Sequence, residues 1–306
     1  MSKLFITGGT GFFGKNILKC ILEDEYWINF FSEIVVLTRN SDRFLTEFPE
    51  FKSDKIFFIE EDVRFFKSNR TDFEYILHLA TDASKDLNDH HPLEMIDVIL
   101  NGTKNILEFA DKQKELKKII FASSGAVYGQ IPIENLGVRE EERFDLDFNN
   151  PINAYAQAKR TAEMMCSIYF ERKKMPIIIA RGFAFIGAYL SESAHFAIKN
   201  FERQAKETGK IIIQSDGNAK RSYMKGDELA KVLLSLLTVK SNLHYIYNIG
   251  SDEAKTLKEW AHWIADKSGE VVVEILNNNT EGYSAGHNYI PNVDRMKKEV
   301  EIKRSK

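Results

Sequence analysis

The first 18 residues of the chain read MSKLFITGGTGFFGKNIL. The apolar run at residues 3–7 predicts a β-strand, and apolar residues at helical spacing predict a helix over residues 12–23. Three glycines separate these two elements: Gly8, Gly11 and Gly14. At such a junction the first glycine permits a sharp turn, the second leaves the backbone open to a pyrophosphate, and the third lets the helix lie close to the sheet. The stretch therefore predicts a phosphate seat at a helix N-terminus, where free N–H groups favour anions.

Short apolar runs and longer helical patterns alternate through the first half of the chain. Further strands are predicted at residues 33–38, 55–59, 75–79, 118–123 and 177–181. Further helices are predicted at residues 92–113 and 154–173. The strands are rich in Ile, Val and Phe with little polar alternation, which is typical of parallel strands buried on both faces. The predicted fold is therefore α/β, with a doubly wound parallel Rossmann sheet.

The pattern loosens beyond residue 182, which indicates a smaller α/β C-terminal substrate lobe. Its helices are predicted at residues 195–208, 227–237 and 257–268, and its strands at residues 210–214, 245–249 and 271–275. Thr256 and Glu259 have the spacing of a capping box, and residues 297–306 are expected to be a solvated end. The predicted division is a dinucleotide-binding domain at 1–181 and a nucleotide-sugar-binding lobe at 182–306, with the chain crossing between them.

Composition and charge exclude several classes of protein. The chain has 306 residues, of which 43% are hydrophobic and 28% charged, and its formal net charge is −3. That charge gives no general attraction to nucleic acids or anionic membranes. Cys20 and Cys166 lie far apart without metal-ligand spacing, so free thiols and no metal are expected. No apolar run is long enough to cross a bilayer and the early strand leaves no room for a signal peptide, so a cytoplasmic protein is expected.

The end of the second predicted strand bears on the choice of dinucleotide. Residues 33–40 read EIVVLTRN. An acidic residue at this end usually holds the adenosine ribose of NAD, but here Thr38 takes that place and Arg39 follows. A neutral residue beside a guanidinium suits a 2′-phosphate, which favours NADP with Arg43 assisting; alternatively, the arginines only begin an exposed loop. Asp62, after the third predicted strand, is a candidate acceptor for the adenine amino group or simply a loop carboxylate.

Two further segments carry residues suited to proton transfer. Tyr155 and Lys159 are four residues apart in NAYAQAKRTAEMM, so a helix places the phenol and the ammonium on one face. An ammonium near a phenol is expected to lower its pKa, which suits proton exchange with a carbonyl or alcohol oxygen. The segment IIFASSGAVYGQ ends a predicted strand, where open α/β sheets bind ligands. Ser124 can there hydrogen-bond the same substrate oxygen, whereas Ser123 is expected to serve the turn.

Four motifs occur together in order and spacing: GGTGFFG, HLA at residues 78–80, SSGAVYG and YAQAK. As a set they resemble the extended short-chain dehydrogenase/reductase superfamily, in its nucleotide-sugar epimerase/dehydratase branch, from the N-terminus to about residue 300. The resemblance implies that Ser124, Tyr155 and Lys159 are the catalytic triad. Tyr155 is then the acid/base, and Lys159 also holds the nicotinamide ribose. The second lobe is expected to bind a nucleoside-diphosphate sugar.

The residue patterns and the resemblance together give two predicted sets of binding residues. The cofactor-binding set is Gly8, Gly11, Phe12, Phe13, Gly14, Thr38, Arg39, Asp62, Val63, Leu79, Ala80, Tyr155 and Lys159. The substrate-binding set is Ser124, Gly125, Ala126, Phe183, His195, Phe196, Asn200 and Arg221. Arg221 corresponds to a phosphate-binding arginine of the family, and Asp227 to an acid that starts a helix. An amphipathic helix face is the alternative reading of His195, Phe196 and Asn200. His78 is expected to pack beneath the cofactor crevice, and Trp260 and Trp263 to pack in a core or an interface.

Departures from the family pattern narrow the expected reaction. Family 4,6-dehydratases carry Asp-Glu after the catalytic hydroxyl residue, and this chain has Gly125 and Ala126 there. Dehydration is therefore disfavoured, and these small residues are expected to leave space beside the catalytic centre. Ala184 stands where many sugar-nucleotide epimerases have an asparagine, and Ile99 stands where asparagine is usual on the cofactor side.

These features lead to one leading hypothesis with two alternatives. The leading hypothesis is an NADP-dependent 4-ketoreductase of a nucleoside-diphosphate 4-keto-6-deoxy sugar, in deoxysugar or surface-polysaccharide biosynthesis. The first alternative is an NAD-dependent nucleotide-sugar 4-epimerase, which would share the triad. The second is a non-catalytic cofactor-binding sensor, against which the intact triad argues.

A homodimer is also expected, because the family commonly pairs the helices at 92–113 and 154–173 with those of a second copy. The apolar residues available for this are Leu93, Ile96, Ile106, Phe109, Met164, Met165 and Ile168. An ordinary intramolecular core is the alternative explanation of the same residues.

Overall fold

The computed structural model describes residues 1–81, 85–190, 197–239, 244–269, 271–276 and 287–304. Two predicted substrate-binding residues, His195 and Phe196, lie outside the described residues. The strands are β1 (Ser2–Thr7), β2 (Phe31–Thr38), β3 (Ile56–Glu60), β4 (Tyr75–His78), β5 (Lys118–Ser124), β6 (Ile177–Gly182), β7 (Phe185–Ile186), β8 (Lys210–Ile213), β9 (Lys220–Ser222), β10 (Met224–Lys225), β11 (Ile246–Ile249), β12 (Ala254–Thr256) and β13 (Val272–Ile275). The helices are α1 (Phe12–Glu23), α2 (Glu25–Phe30), α3 (Ser41–Glu47), α4 (Lys85–His90), α5 (Pro92–Asp111), α6 (Ala154–Lys173), α7 (Ala197–Thr208), α8 (Gly226–Thr238), α9 (Leu257–Ser268) and α10 (Asp294–Arg304).

A parallel sheet organises the molecule. In the described part of the chain it has seven strands, in the order β3-β2-β1-β4-β5-β6-β11. The strand order reverses between β1 and β4, so a crevice opens there at the carboxyl ends of the strands. The predicted doubly wound Rossmann sheet is confirmed.

Alternation along β1 explains why both faces of the sheet are covered. Successive side chains of a strand point to opposite faces. Leu4 and Ile6 belong to an apolar cluster that includes residues of α1 and α8, and Phe5 belongs to a second cluster with residues of α5 and α6. All three side chains are fully buried. The sheet is therefore the middle of three layers.

The second half of the chain returns to this sheet. Strand β11 pairs with β6 at the edge of the sheet, and α8 packs against α1. Thus α8 and β11 lie with the first 181 residues in space. A smaller lobe after residue 182 has its own apolar cluster, in which α7 packs on α9 and β8 pairs with β13.

The local sequence patterns of the second lobe predicted its helix cap and its tryptophan packing correctly. Thr256 caps α9, and the Glu259 carboxylate accepts from the Thr256 main-chain nitrogen, which completes the predicted capping box. Trp260 and Trp263 contact each other at 5.6 Å between ring centres and pack in the lobe's apolar cluster. Helix α9 begins and ends at the predicted residues, because its cap and its apolar face are both encoded locally.

The expectation of a solvated C-terminal end holds at Lys297 and Lys298, which are exposed, but it is wrong at Glu299 and Val300. Helix α10 covers them, and Met296 on this helix is buried in the main core. The carboxylate of Glu299 is 2% exposed and accepts a hydrogen bond from the Tyr247 hydroxyl at 2.8 Å. The charged composition of the segment does not indicate that one face of α10 is buried. That face is buried because α10 packs against β11.

Further sequence-based expectations concern the two cysteines, membrane-spanning helices and metal sites. Cys20 and Cys166 are free thiols. Among the described residues no helix is long and apolar enough to span a membrane. Within the same residues, no cluster of three or more His, Cys, Asp or Glu side chains is placed to hold a metal ion.

Candidate active site

The glycine turn after β1 is held tightly against the end of β4. Gly8 has φ +70°, and a Cβ at this position would lie 2.6 Å from the main-chain nitrogen of Ala80. The Thr7 hydroxyl accepts from that nitrogen at 3.1 Å and bonds the His78 ring at 2.7 Å. Glycine is therefore required at position 8, both for its left-handed backbone and for the close approach of two chain segments.

The other two glycines have different surroundings. A Cβ at Gly11 would meet a single neighbouring atom, the Gly8 oxygen at 3.4 Å, so this side of the turn is open. A Cβ at Gly14 would lie 2.3 Å from Gly9 Cα. The sequence assigned Gly14 to close packing of helix and sheet, whereas the contact that excludes a side chain there is with the backbone of the turn itself.

The N-terminus of α1 fits a pyrophosphate. Its N-cap residue is Gly11, no side chain caps it, and its first turn contains no acidic residue. The first N–H groups of a helix have no partner within the helix. Uncapped donors, the positive end of the helix dipole and the open face at Gly11 together suit the phosphates of a dinucleotide. Phe12 and Phe13 follow, and both contact the ring of Phe185.

His78 is a buried structural residue. Its two ring nitrogens bond the hydroxyls of Thr7 at 2.7 Å and Thr103 at 3.2 Å. Burial, with a smaller effect of the Lys159 charge, lowers the pKa of His78 to about 3. The ring therefore stays neutral beneath the crevice, and it joins the ends of β1 and β4 to α5. The neighbouring residues Leu79 and Ala80 line the close approach to the glycine turn.

The ends of β2 and β3 lie side by side on the far flank of the crevice. Thr38 is buried at the end of β2 and is paired in register with Glu60, whereas the Arg39 side chain is exposed. Glu60 accepts from both the main-chain nitrogen and the hydroxyl of Ser41, at 2.6 and 2.7 Å. No acidic side chain occupies position 38, and a cation follows it, as the sequence indicated.

The Asp62 carboxylate accepts hydrogen bonds from Arg64, a residue that the sequence analysis did not consider. Arg64 donates to its carboxylate from the main chain at 2.9 Å, from Nε at 2.9 Å and from Nη2 at 2.8 Å. These bonds hold the pKa of Asp62 below its ordinary value. Its adenine-binding role stays a prediction. Val63 is 9% exposed, and its side chain would contact a Cβ placed at Gly102.

Ser124 and Tyr155 meet at the carboxyl end of β5. Ser124 is the last residue of that strand, and Tyr155 lies in the first turn of α6. Burial raises the pKa of the Tyr155 phenol above its ordinary value, and the neighbouring Ser124 hydroxyl opposes that rise. The two side chains therefore lie at the same edge of the sheet, and their action on one substrate oxygen stays a prediction.

Lys159 lies deeper than Tyr155 on the same helix. Its ammonium donates to the Ala122 oxygen at 2.6 Å and to the Thr81 hydroxyl at 2.7 Å, and the side chain is 1% exposed. Burial lowers the pKa of Lys159 to about 7. Its Nζ lies 6.0 Å from the centre of the Tyr155 ring. The expectation that the pKa of Tyr155 is lowered is wrong for this arrangement, because burial of the phenol raises it.

A buried polar network supports the strand end from below. The Ser123 hydroxyl donates to Glu163 at 2.5 Å, and Arg181 donates to the same carboxylate from Nε at 2.9 Å and from Nη2 at 2.6 Å. Arg181 Nη1 also donates to the Tyr128 hydroxyl at 3.0 Å. The assignment of Ser123 to turn chemistry is therefore wrong: its side chain points to the face opposite that of Ser124 and links β5 to α6.

One residue of the centre was missed by the sequence analysis. Tyr289, from the segment before α10, lies against Gly125, the residue that follows Ser124. A Cβ at Gly125 would lie 2.6 Å from the Tyr289 hydroxyl oxygen. The expectation that Gly125 leaves free space is wrong, because this phenol occupies it. No local motif marks Tyr289, and only the return of the chain to the site brings it there.

The predicted substrate-binding residues differ in their burial and in their contacts. Phe183 is buried, and its ring centre lies 4.7 Å from that of Tyr289. Arg221 lies on β9 and donates to the main-chain oxygen of His287. Asn200 lies on the exposed side of α7, where it accepts from Arg203 at 2.6 Å. Ala126 donates its N–H to Ser124 at 3.2 Å, and Asp227 lies in the first turn of α8 as expected.

Comparisons with known proteins agree with this architecture. A family model described as the NAD dependent epimerase/dehydratase family matches residues 4–250. The UDP-glucuronic acid decarboxylase 1 of Danio rerio is 25% identical over 266 residues, which cover 86% of this chain but only 60% of that relative. The chain thus spans less than two thirds of that relative's length.

Solved structures match over nearly the whole chain. The UDP-N-acetylglucosamine 4-epimerase of Methanobrevibacter ruminantium has a TM-score of 0.79 at 20% identity, and the match covers 99% of this chain and 98% of that one. The dTDP-glucose 4,6-dehydratase of Bacillus anthracis, in complex with NAD, has a TM-score of 0.78 at 20% identity, with 98% and 91% covered. At these identities the likeness establishes the fold.

Proposed function

The chain belongs to the NAD dependent epimerase/dehydratase family, and from that membership we propose that it is an NADP-dependent 4-ketoreductase of a nucleoside-diphosphate 4-keto-6-deoxy sugar. The observation that carries the proposal is the meeting of Ser124 and Tyr155 at the carboxyl end of β5, with Lys159 fixed behind them. Two hydroxyls and a lysine beside an open phosphate seat are the groups that proton transfer to a sugar carbonyl requires.

Each residue of the triad has a distinct part in this reaction. A bound nicotinamide dinucleotide supplies the hydride for the sugar carbonyl carbon. Tyr155 donates its proton to the carbonyl oxygen, and Ser124 orients that oxygen by a hydrogen bond. Lys159 stabilises the phenolate left on Tyr155 and holds the nicotinamide ribose. Because burial keeps the phenol protonated at neutral pH, Tyr155 is in the state that reduction needs before each turnover.

The residues after Ser124 support reduction over dehydration. Expelling water from a sugar needs an additional acid and base beside the reacting carbon. Gly125 and Ala126 offer neither, and the space at Gly125 is taken by a phenol. The cofactor assignment to NADP is supported by Thr38, which carries no charge to repel a 2′-phosphate, and by the exposed guanidinium of Arg39 beside it.

A 4-epimerase that keeps NAD bound is the second candidate. It is favoured by the family description, which specifies NAD, and by the fold match to a UDP-N-acetylglucosamine 4-epimerase. Such an enzyme would use Tyr155 in both directions, first as base and then as acid. The turnover rate of such an enzyme would not depend on the concentration of added cofactor.

The test is an assay with purified protein and a panel of nucleoside-diphosphate 4-keto sugars that covers the common nucleotides. Oxidation of added NADPH, with a reduced sugar found by mass spectrometry, supports the ketoreductase. Tightly held NAD released on denaturation, together with interconversion of two 4-epimers without added cofactor, supports the epimerase. Absence of NADPH oxidation across the panel would count against the first proposal.

We also propose a homodimer formed through α5 and α6. Leu93 is 80% exposed on α5, and Met164 is 62% exposed on α6. Ile106 and Phe109 are buried in the core of the chain, so they do not belong to the contact surface. Sedimentation equilibrium of the wild type against a Met164→Glu variant would test this assembly.

A further inference from the structure

The N-terminus of α6 is not capped by its own N-cap residue. That residue is Asn153, and its side chain bonds no N–H of the helix. The Asn153 amide is used elsewhere, because its Nδ2 donates to the main-chain oxygen of Asp147 at 2.9 Å. An N-cap side chain ordinarily accepts from the second or third N–H of its helix. The second N–H of α6 belongs to Tyr155.

A residue from another helix supplies the acceptor. Asn88 on α4 accepts from the main-chain nitrogen of Tyr155 through Oδ1 at 3.2 Å. The same side chain donates from Nδ2 to the main-chain oxygen of Ile152 at 3.2 Å. These bonds join residues 67 and 64 positions apart in the chain. One amide group thus bonds the main chain on both sides of the point where α6 begins.

The two partners determine which way the Asn88 amide faces. The Tyr155 N–H can only donate and the Ile152 oxygen can only accept, so the amide oxygen faces the helix and the amide nitrogen faces the residue before it. The N–H of Ala154, the first residue of α6, donates to the Pro151 oxygen. With Asn88 in place, the first two N–H groups of α6 therefore both have acceptors.

The chain that follows β4 contacts both members of the triad on α6. Thr81 accepts from the Lys159 ammonium at 2.7 Å, and Asn88 accepts from the Tyr155 main chain. Helix α4 is itself held in place, since it packs against α5 and against the 3₁₀ turn Pro151–Asn153. Asn88 is therefore carried by a supported element and can restrain the first turn of α6.

We propose that Asn88 is a positioning residue for Tyr155, whose amide caps the first turn of α6 from outside the helix and so holds the phenol in place. The ends of helices fray, and Tyr155 is the second residue of its helix. Displacement of a reacting group by about 1 Å is enough to lower a rate strongly. The inference rests on the proposed function only in taking Tyr155 as the proton-transferring group.

Three variants isolate this contact. Asn88→Ala removes both bonds of the amide, whereas Asn88→Asp keeps an acceptor for the Tyr155 N–H and loses the donor to Ile152. The matched control is Asn29→Ala, which makes the same change on α2, where the Asn29 Nδ2 donates to the Glu25 oxygen at 2.9 Å. Helix α2 precedes β2, so it lies at the amino end of the sheet, opposite the site.

Hydrogen–deuterium exchange of the Tyr155 amide, followed by NMR, measures the bond directly. Its rate should rise roughly five- to tenfold in Asn88→Ala, the equivalent of one hydrogen bond. It should stay within about threefold of wild type in Asn88→Asp, because the acceptor remains, and should not change in Asn29→Ala. The amide of Cys166, in the middle of α6, should exchange at the wild-type rate throughout, which separates local fraying from global unfolding. Unchanged exchange at Tyr155 in Asn88→Ala would overturn the proposal.

The placement of the phenol is measured separately, by ¹³C relaxation of the Tyr155 ring, whose signal is identified by its loss in Tyr155→Phe. The ring should become more mobile in Asn88→Ala and regain its wild-type rigidity in Asn88→Asp. A ring as rigid in Asn88→Ala as in wild type would refute the positioning role, even if the amide exchanged faster. Both measurements use protein without substrate, so they decide the proposal even if every sugar assay is negative.

Turnover provides a further test once a substrate is found. In Asn88→Ala, kcat should fall roughly tenfold while KM for dinucleotide and sugar changes less than about twofold, because the phosphate seat is untouched. Asn88→Asp should restore kcat. A loss confined to KM would contradict the proposal. If Asn88→Ala fails to fold by thermal melting, Asn88→Leu, which keeps the volume of the side chain and removes both bonds, takes its place in every comparison.

Discussion

Lys159 and Tyr155 lie one turn apart on α6, yet the lysine Nζ is 6.0 Å from the centre of the tyrosine ring and donates to the Ala122 oxygen at 2.6 Å. The ammonium is thus anchored to the sheet. Burial there lowers the pKa of Lys159 to about 7. Holding this group charged costs free energy of folding, and that cost is visible in the dependence of stability on pH.

The first prediction concerns Lys159→Met. Between about pH 7 and the ordinary lysine pKa of 10.5, the unfolded chain binds more protons at this residue than the folded chain. Stability of the wild type therefore rises with pH over this window, and the contribution is absent from the variant. The difference in Tm, wild type minus Lys159→Met, should grow from pH 7 to pH 9.5. Lys104→Met, at an exposed site on α5, serves as the control; a constant difference for Lys159→Met would contradict the prediction.

The second prediction concerns Tyr155→Phe. Loss of the phenolic hydroxyl removes the proton donor, and turnover should fall by roughly 10²- to 10⁴-fold, the usual contribution of general acid–base catalysis. Affinity for the dinucleotide, measured by calorimetry, should stay within about threefold because the phosphate seat is untouched. Retained turnover would exclude Tyr155 as the acid. Tyr75→Phe provides the matched control for removal of a buried hydroxyl.

The third prediction compares two glycines that both have a positive φ angle. Gly8 has φ +70° and no room for a Cβ, whereas Gly209 has φ +65° and open space around it. Gly209→Ala should cost about 1–2 kcal/mol in free energy of unfolding, from backbone strain alone. Gly8→Ala should cost clearly more and should abolish dinucleotide binding, because the turn must move off Ala80. Urea unfolding and calorimetry measure the two effects, and equal costs would be inconsistent with steric exclusion at Gly8.

The fourth prediction concerns the buried ion pair beneath Ser124. The side chains of Arg181 and Glu163 are 3% and 10% exposed. Glu163→Gln leaves the guanidinium buried without its counter-charge, which should cost roughly 3–5 kcal/mol in free energy of unfolding. Glu23→Gln breaks the exposed pair with Lys19 on α1 and should cost less than about 0.5 kcal/mol. Urea unfolding of both variants provides the comparison, and similar costs would show that the buried pair contributes little.

The fifth prediction concerns cofactor choice. Arg39→Ala should raise the KM for NADPH by roughly 10- to 100-fold, the worth of a charge-assisted bond to a phosphate. The KM for NADH should change by less than about twofold, since NADH lacks the phosphate. Arg203→Ala, on the exposed face of α7, controls for general loss of positive charge. An equal effect on both cofactors would remove Arg39 from 2′-phosphate recognition and favour NAD.

Local sequence was sufficient to place three of the longer helices. Helices α1, α6 and α9 begin and end at the predicted residues, because apolar spacing and caps act within a few positions of each other. The glycine turn was equally readable, since the strand before it and the helix after it are both encoded locally. The short pairs β9–β12 and β7–β10 were not foreseen, because two or three residues give no periodicity.

The sequence by itself predicted the alternation of strands and helices behind the Rossmann sheet, the glycine turn before α1 and the placement of Tyr155 and Lys159 on one helix, because each pattern is formed by residues close together in the chain. Only the tertiary structure decided what surrounds them. In the folded chain the Tyr289 phenol occupies the space beside Gly125, and the Ser123 hydroxyl donates to Glu163. Glu299 is buried against Tyr247, and the Lys159 ammonium donates to a main-chain oxygen of the sheet. Each of these contacts joins residues far apart in the chain. Their geometry and their pKa values are set by burial between packed elements, which no local pattern of residues encodes.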